Sequence, residues 1–153
     1  MAELGRQRGE QLIAERTRRE GDCLIWTKAL TPKGYGRIMV DGVRHAAHRF
    51  AWAVAHGPIP GGMQVDHICH NRACVEISHL RLATHSENGW NRRGAHPTSS
   101  LGLRGIRKVF NRYEVRATRD GVTHRRTASS LEEAMGVGEA MRANLYGEFA
   151  GGA

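Results

Sequence analysis

Two cysteines and a histidine stand at equal intervals in one short stretch, Cys69-x4-Cys74-x4-His79, and the chain's third cysteine, Cys23, lies far upstream. Thiolates and an imidazole so spaced suit a closed tetrahedral zinc site, and a distant fourth ligand would tie two parts of the chain together. His70, His67 and His85 are rival fourth ligands, but a cysteine has the better chemistry for a closed structural site. Three cysteines, all used by such a site, leave none for a disulfide. The segment around the loop spans only about 75 residues, a size at which a metal is a usual staple for a small core.

The surrounding elements follow from local signals. Residues 1–20 are polar and charge-dense, with weak helical spacing at Leu12, Ile13 and Arg16, and read as an N-terminal arm, either a solvated helix or a loose segment. Gly34 to Val40 runs into Asp41-Gly42, a hairpin signal. His48 to His56 is apolar on one helical face and is stopped by Gly57-Pro58. Gln64 to His67 reads as a strand, His79 to Leu82 as a second, and Thr84 with Glu87 as a capping box that opens a helix holding Asn88. Strand, metal-rich loop, strand and helix therefore follow one another.

Residues 94–102 have the composition of a linker. Three strand-like runs follow, Arg104–Phe110, Tyr113–Arg119 and Val122–Thr127, the last two joined by Asp120-Gly121. Ser129 with Glu132 predicts the cap of a final helix, apolar along Leu131, Ala134, Met135, Gly138, Met141 and Leu145, that ends at Gly147. The expected class is α+β: a metal-stapled core, then a three-stranded sheet covered by one helix. The boundaries are an arm at 1–20, a first domain at 21–93, a linker at 94–102 and a second domain at 103–150.

Charge narrows the partners. The 153 residues carry 23 Lys and Arg against 15 Asp and Glu, a net charge of +8, and Arg greatly outnumbers Lys. Such a surplus favours a polyanion, and the guanidinium fork suits phosphates and guanine edges. Residues 103–126 alone hold Arg104, Arg107, Lys108, Arg112, Arg116, Arg119, Arg125 and Arg126 against Glu114 and Asp120. No apolar run approaches a membrane span, and the start lacks an apolar signal core, so the expected location is the cytoplasm, away from membranes.

Cutting a phosphodiester needs an activated water, a cation on the phosphate oxygens and a positive group near by. His67 offers a general base, Asn88 a neutral oxygen for a hard cation such as Mg²⁺, and Asp66 a carboxylate. Neighbours on a strand point to opposite faces, so Asp66 and His67 can share an ion only at a strand end or bulge. Arg49 is placed to meet the phosphate, with Arg44 second. His45, His48, His56, His96 and His124 are given no catalytic part.

The stretch VDHICHNRACVEISHLRLATHSEN resembles the ββα-metal core of HNH homing endonucleases, especially the His-Cys box branch. CLIWT, GYGRI and AHRFAWAVAHGPIP resemble phage-type HNH proteins, so the likeness covers roughly residues 22–93. The resemblance implies His67 as general base, Asn88 and Asp66 as Mg²⁺ ligands, and Cys23, Cys69, Cys74 and His79 as a structural Zn²⁺ set. It also implies hydrolysis to 5′-phosphate and 3′-hydroxyl ends. His79 stands where many relatives carry Asn, and Ile77-Ser78 where this branch usually has Asn-Pro.

Residues 103–150, from RGIRK through SLEEA to LYGEFA, are similar to Apetala-type DNA-binding domains. That likeness implies DNA contacts at Arg104, Arg107, Tyr113, Arg116 and His124. Tyr113 and His124 stand where that family prefers Trp, and Arg125-Arg126 replace a usual Leu-Gly. The expected partner is double-stranded DNA, met by a monomer or a homodimer. A competing reading is a zinc-stabilised DNA-binding regulator with an inactive nuclease core. A third is a packaging or restriction nuclease with the same chemistry.

Overall fold

In the computed structural model, which describes residues 2–95 and 98–151, the polar N-terminal segment is ordered as a helix and a strand. Helix α1 (Ala2–Ala14) lays Leu12 and Ile13 against a core of Trp26, Ile38, Ala47, Ala51 and Val75. Strand β1 (Thr17–Glu20) then pairs antiparallel with β2 (Cys23–Trp26), Glu20 opposite Cys23. Arg18, Arg19 and Glu20 are all exposed, so β1 shows no apolar alternation. Its backbone ladder to β2, rather than side-chain burial, makes it a strand.

The other edge of β2 meets the cysteine loop. Ile25 bridges to Cys74, Trp26 N–H donates to Ala73 O at 2.8 Å, and Val75 N–H donates to Leu24 O at 2.8 Å. Strands β3 (Arg37–Val40) and β4 (Val43–Ala46) form the hairpin expected at Asp41-Gly42, whose φ angles of 47° and 78° are those of a two-residue hairpin turn. Just before β3, a Cβ on Gly36 would sit 2.7 Å from Cγ of Trp26 and 2.8 Å from Cβ of Ala47. Only glycine lets the hairpin lie this close to the core. Helix α2 (Ala47–His56) follows and stops at Gly57.

Strand β5 (Gln64–His67) pairs antiparallel with β6 (Leu80–Ala83), Asp66 opposite Arg81 and His67 opposite Leu80. The loop between them ends in a 3-10 turn at Ile77–His79. Helix α3 (His85–Trp90) comes next and carries Asn88, so the predicted order of strand, loop, strand and helix is present.

The chain divides into two compact units, the first ending at His85 and the second starting at Ser86. The division thus falls inside α3, ahead of the stretch 94–102 that reads as a linker. His96 and Pro97, within that stretch, lie outside the described residues.

In the second unit, β7 (Ile106–Val109), β8 (Arg112–Arg119) and β9 (Val122–Ala128) form one antiparallel sheet with β8 central. Helix α4 (Leu131–Tyr146) packs on it through a core of Ile106, Val115, Ala128 and Ala134. Gly105 has φ 69°, and a Cβ there would lie 2.4 Å from the Arg116 carbonyl oxygen; Arg116 N–H donates to Gly105 O at 2.8 Å. The α4 cap is one residue later than its sequence signal. Ser130 accepts from Glu133 N–H, while Glu133 reaches back to the Ser129 N–H and hydroxyl at 2.8 and 2.6 Å. Ser-Ser followed by Glu-Glu supports either register, and the backbone takes the second. The architecture is mixed α+β.

Candidate active site and metal centre

Cys23, Cys69, Cys74 and His79 converge with their ligand atoms within 4.8 Å of one another. Strand β2 delivers Cys23, its ladder to residues 73–75 fixes Cys74, and the 3-10 turn presents His79. Nδ1 of His79 lies 3.5 Å from Sγ of Cys23 and 3.6 Å from Sγ of Cys74. A tetrahedral ion bonded at about 2.1 Å to nitrogen and about 2.3 Å to sulfur would set such atoms roughly 3.6 Å apart. Glu76 N–H also donates to Sγ of Cys74 at 3.4 Å, which orients a sulfur lone pair. The donor set therefore fits a metal ion. The rival fourth ligands His67, His70 and His85 are not members of this cluster.

Electrostatics agree with that fit. Burial, and then the neighbouring Cys74 thiol, push Cys23 up to about 12. Burial likewise raises Cys69. Packed thiols of this kind hold their protons unless a cation compensates the thiolates.

His67 ends β5 and is buried. Its Nε2 lies 3.0 Å from the Cys74 carbonyl oxygen. A carbonyl only accepts, so the neutral ring carries its proton on Nε2 and its lone pair on Nδ1. Burial lowers the pKa of His67, against a smaller upward pull from the Cys74 carbonyl and Asp66, which favours the neutral ring. The cysteine loop thus fixes the tautomer of the histidine through the backbone of Cys74.

The sequence did not signal the ring cluster around His67. His48, on α2, lies 4.7 Å from it centroid to centroid, and Tyr35 lies 6.0 Å from His67 and 5.3 Å from His48. The Arg72 guanidinium covers the Tyr35 ring at 5.5 Å and donates to Lys33 O at 3.1 Å. His48 is 7% exposed, and its Nδ1 has no hydrogen-bond partner among the described residues. Burial, then the neighbouring His67 and Arg49, push its pKa down to about 3. Its position on the apolar face of the predicted helix was the one available hint.

Asp66 is buried too, but its Oδ2 accepts from Nε of Arg81 at 3.1 Å, directly across the sheet. Alternation along β5 turns it to the face opposite His67. Asn88 is half-buried on α3, and Arg49 and Arg44 are exposed. In the second unit, register places Arg107, Arg112, Glu114, Arg116 and Arg125 on the sheet face away from α4. Arg107 donates to Glu114 at 2.8 Å, which holds that carboxyl below its usual range. Tyr113 packs against the core beneath α4, and His124 lines a groove with Val137 and Met141. Arg104 donates to Arg92 O at 2.6 Å and lies 5.8 Å from the Tyr146 ring centroid. Of the five residues expected to meet DNA, Arg107 and Arg116 share the uncovered face.

Among the described residues no helix is long and apolar enough to cross a membrane. The HNH endonuclease family profile matches residues 45–90, the segment holding β5, the cysteine loop, β6 and α3. Protein 7.7 of Escherichia phage T7 is 43% identical over 44% of this chain and 52% of its own length. An uncharacterized HNH endonuclease of Acanthamoeba polyphaga mimivirus is 35% identical over 67% of this chain and 54% of its own. The chain thus spans about half the length of these two relatives. Protein 3.8 of phage T7 is 33% identical over 67% of this chain and 86% of its own length. No solved structure matches. With an HNH endonuclease domain at 45–90 and most of protein 3.8 matched, the chain belongs to the HNH endonuclease family.

Proposed function

We propose that the protein is a metal-dependent DNA endonuclease of the homing type, hydrolysing a phosphodiester bond to 5′-phosphate and 3′-hydroxyl ends. The observation that carries this reading is the buried His67 ring, tied by Nε2 to the Cys74 carbonyl at 3.0 Å within the segment that matches HNH endonucleases. A Mg²⁺ ion, when bound, would supply positive charge to the scissile phosphate and to the departing oxygen. Asn88 would hold it through its amide oxygen. Asp66 would be a second ligand, although its Oδ2 is engaged by Arg81.

Nδ1 of His67 takes the proton from a water as its oxygen bonds to phosphorus. The bond from phosphorus to the 3′ oxygen breaks, and that oxygen takes a proton from solvent. Arg49 would meet the phosphate. Cys23, Cys69, Cys74 and His79 would hold a structural Zn²⁺ that keeps the loop, and with it the Cys74 carbonyl, in place. The second unit would bind double-stranded DNA through Arg104, Arg107 and Arg116, with Tyr113 and His124 as further contacts, as the Apetala-like pattern implies.

Supercoiled plasmids carrying a library of phage and host DNA, incubated with protein and Mg²⁺, test the reading. Nicked or linear product is expected from wild type and not from His67→Ala. No product from wild type, or equal product from both, refutes it in favour of a DNA-binding regulator.

A further inference from the structure

The β7–β8 hairpin closes on the Val109–Arg112 pair, leaving Phe110 and Asn111 as its two-residue tip. Phe110 has φ 52°, a left-handed conformation that a bulky aromatic rarely adopts. The other two-residue tips among the described residues, Gly21-Asp22, Asp41-Gly42 and Asp120-Gly121, put glycine or aspartate at the first position, residues that tolerate it. Phe110 is also 94% exposed, well beyond the next most exposed large apolar residues among those described, Met39 and Val122, each at 58%. Neither packing nor turn preference within this chain accounts for a phenylalanine at that point. Backbone strain that burial does not repay gathers at sites of binding.

Its surroundings indicate the partner. Arg112 adjoins it, and Arg107, Arg116 and Arg125 continue along the uncovered sheet face. Among the described residues Glu114 is the single carboxylate that the register puts on that face, and it is already engaged by Arg107. At the far end of β7, a cavity of about 250 Å³ has Leu103, Gly105 and Ile106 in its wall, and around them the hydroxyls of residues 98–100 and the guanidinium groups of Arg107 and Arg116, which suit a phosphate. An exposed ring at the end of a cationic strip fits a polyanion that also offers flat apolar surfaces, which is to say nucleic acid.

We infer that Phe110 is a base-stacking residue: with the arginine face on the phosphates, its ring inserts against a base of double-stranded DNA and opens one stacking step. Side chains that act this way wedge between bases and bend the duplex. The inference rests on the DNA-binding reading of the second unit and adds a contact that charge alone does not provide.

The test is binding of the full chain to a labelled mixed-sequence duplex in magnesium-free buffer over a salt series. Phe110→Gly relieves the left-handed strain, so folding is retained, and it is expected to weaken binding roughly ten-fold, the size of one aromatic–base stack. The salt slope should stay at the wild-type value, whereas Arg112→Ala should reduce it by about one. Phe110→Trp, which keeps a stacking surface, should bind within two-fold of wild type. Binding of Phe110→Gly within two-fold of wild type overturns the inference, and so does a loss seen only on phosphatidylserine vesicles. Failure of wild type to bind the duplex at all would remove the DNA-binding reading itself.

Discussion

The indole of Trp90 stacks on the ring of Tyr146, centroids 5.1 Å apart and planes within 10° of parallel. Arg119 lies over the same indole at 5.6 Å, and the Tyr146 hydroxyl donates to Thr118 O and accepts from Thr118 N–H, each at 3.1 Å. Trp90 is the last residue of the short helix that carries Asn88, so this stack anchors that helix to α4 and β8. Removing the indole should cost about 2 kcal/mol, an aromatic pair plus the lost burial. Tyr146→Phe, which keeps the stack and loses the hydroxyl bonds, should cost about 1 kcal/mol. Urea unfolding of the two variants measures both. A larger loss for Tyr146→Phe than for Trp90→Ala would contradict the ranking.

The metal cluster yields a second expectation. Native mass spectrometry should find one zinc per chain, absent from Cys74→Ser and Cys69→Ser. At free zinc a thousand times its dissociation constant, such an ion stabilises the fold by about 4 kcal/mol. Thermal unfolding before and after chelation reads that difference. Identical midpoints would leave the cluster without a structural part.

Asp66 and Arg81 form an ion pair in which both side chains are largely buried. Breaking it from one side leaves an uncompensated charge, so Asp66→Asn and Arg81→Met should each destabilise by about 3 kcal/mol. The double variant should lose clearly less than the sum. Simple additivity in a double-mutant cycle would show that the pair is not coupled.

Two glycines in α4 give opposite expectations. A Cβ on Gly136 would meet nothing within 4 Å, so Gly136→Ala should stabilise by about 0.8 kcal/mol through helix propensity alone. A Cβ on Gly138 would lie 3.2 Å from Arg142 Nη1 and 3.4 Å from Val115 Cγ1. That crowding should erase most of the same gain. Equal stabilisation by both, in chemical denaturation, would mean that α4 does not approach the sheet this closely.

Much of this organisation could be read before any coordinates. The spacing of Cys69, Cys74 and His79 pointed to a cluster able to hold a metal, and Asp41-Gly42 and Asp120-Gly121 marked two hairpins, because turn and ligand chemistry are local. β1 escaped notice since its stability lies in backbone bonds to β2, which leave no trace in side-chain pattern. The proximity of His48 and Tyr35 to His67 was equally hidden, because it arises from α2 and the segment before β3 meeting the end of β5. The pairing of Asp66 with Arg81 depends on a register that apolar alternation only weakly specifies in strands so short.

Because Cys23 meets Cys69, Cys74 and His79, an ion held there would join the two ends of a long covalent ring that contains β3, β4, α2 and β5. A protease cutting the exposed Gly61-Gly62 turn within that ring would sever the chain yet release neither piece while the ion stayed bound. Tolerance of such a nick, and its loss on demetallation, would make the ion a guardian of integrity as well as of shape.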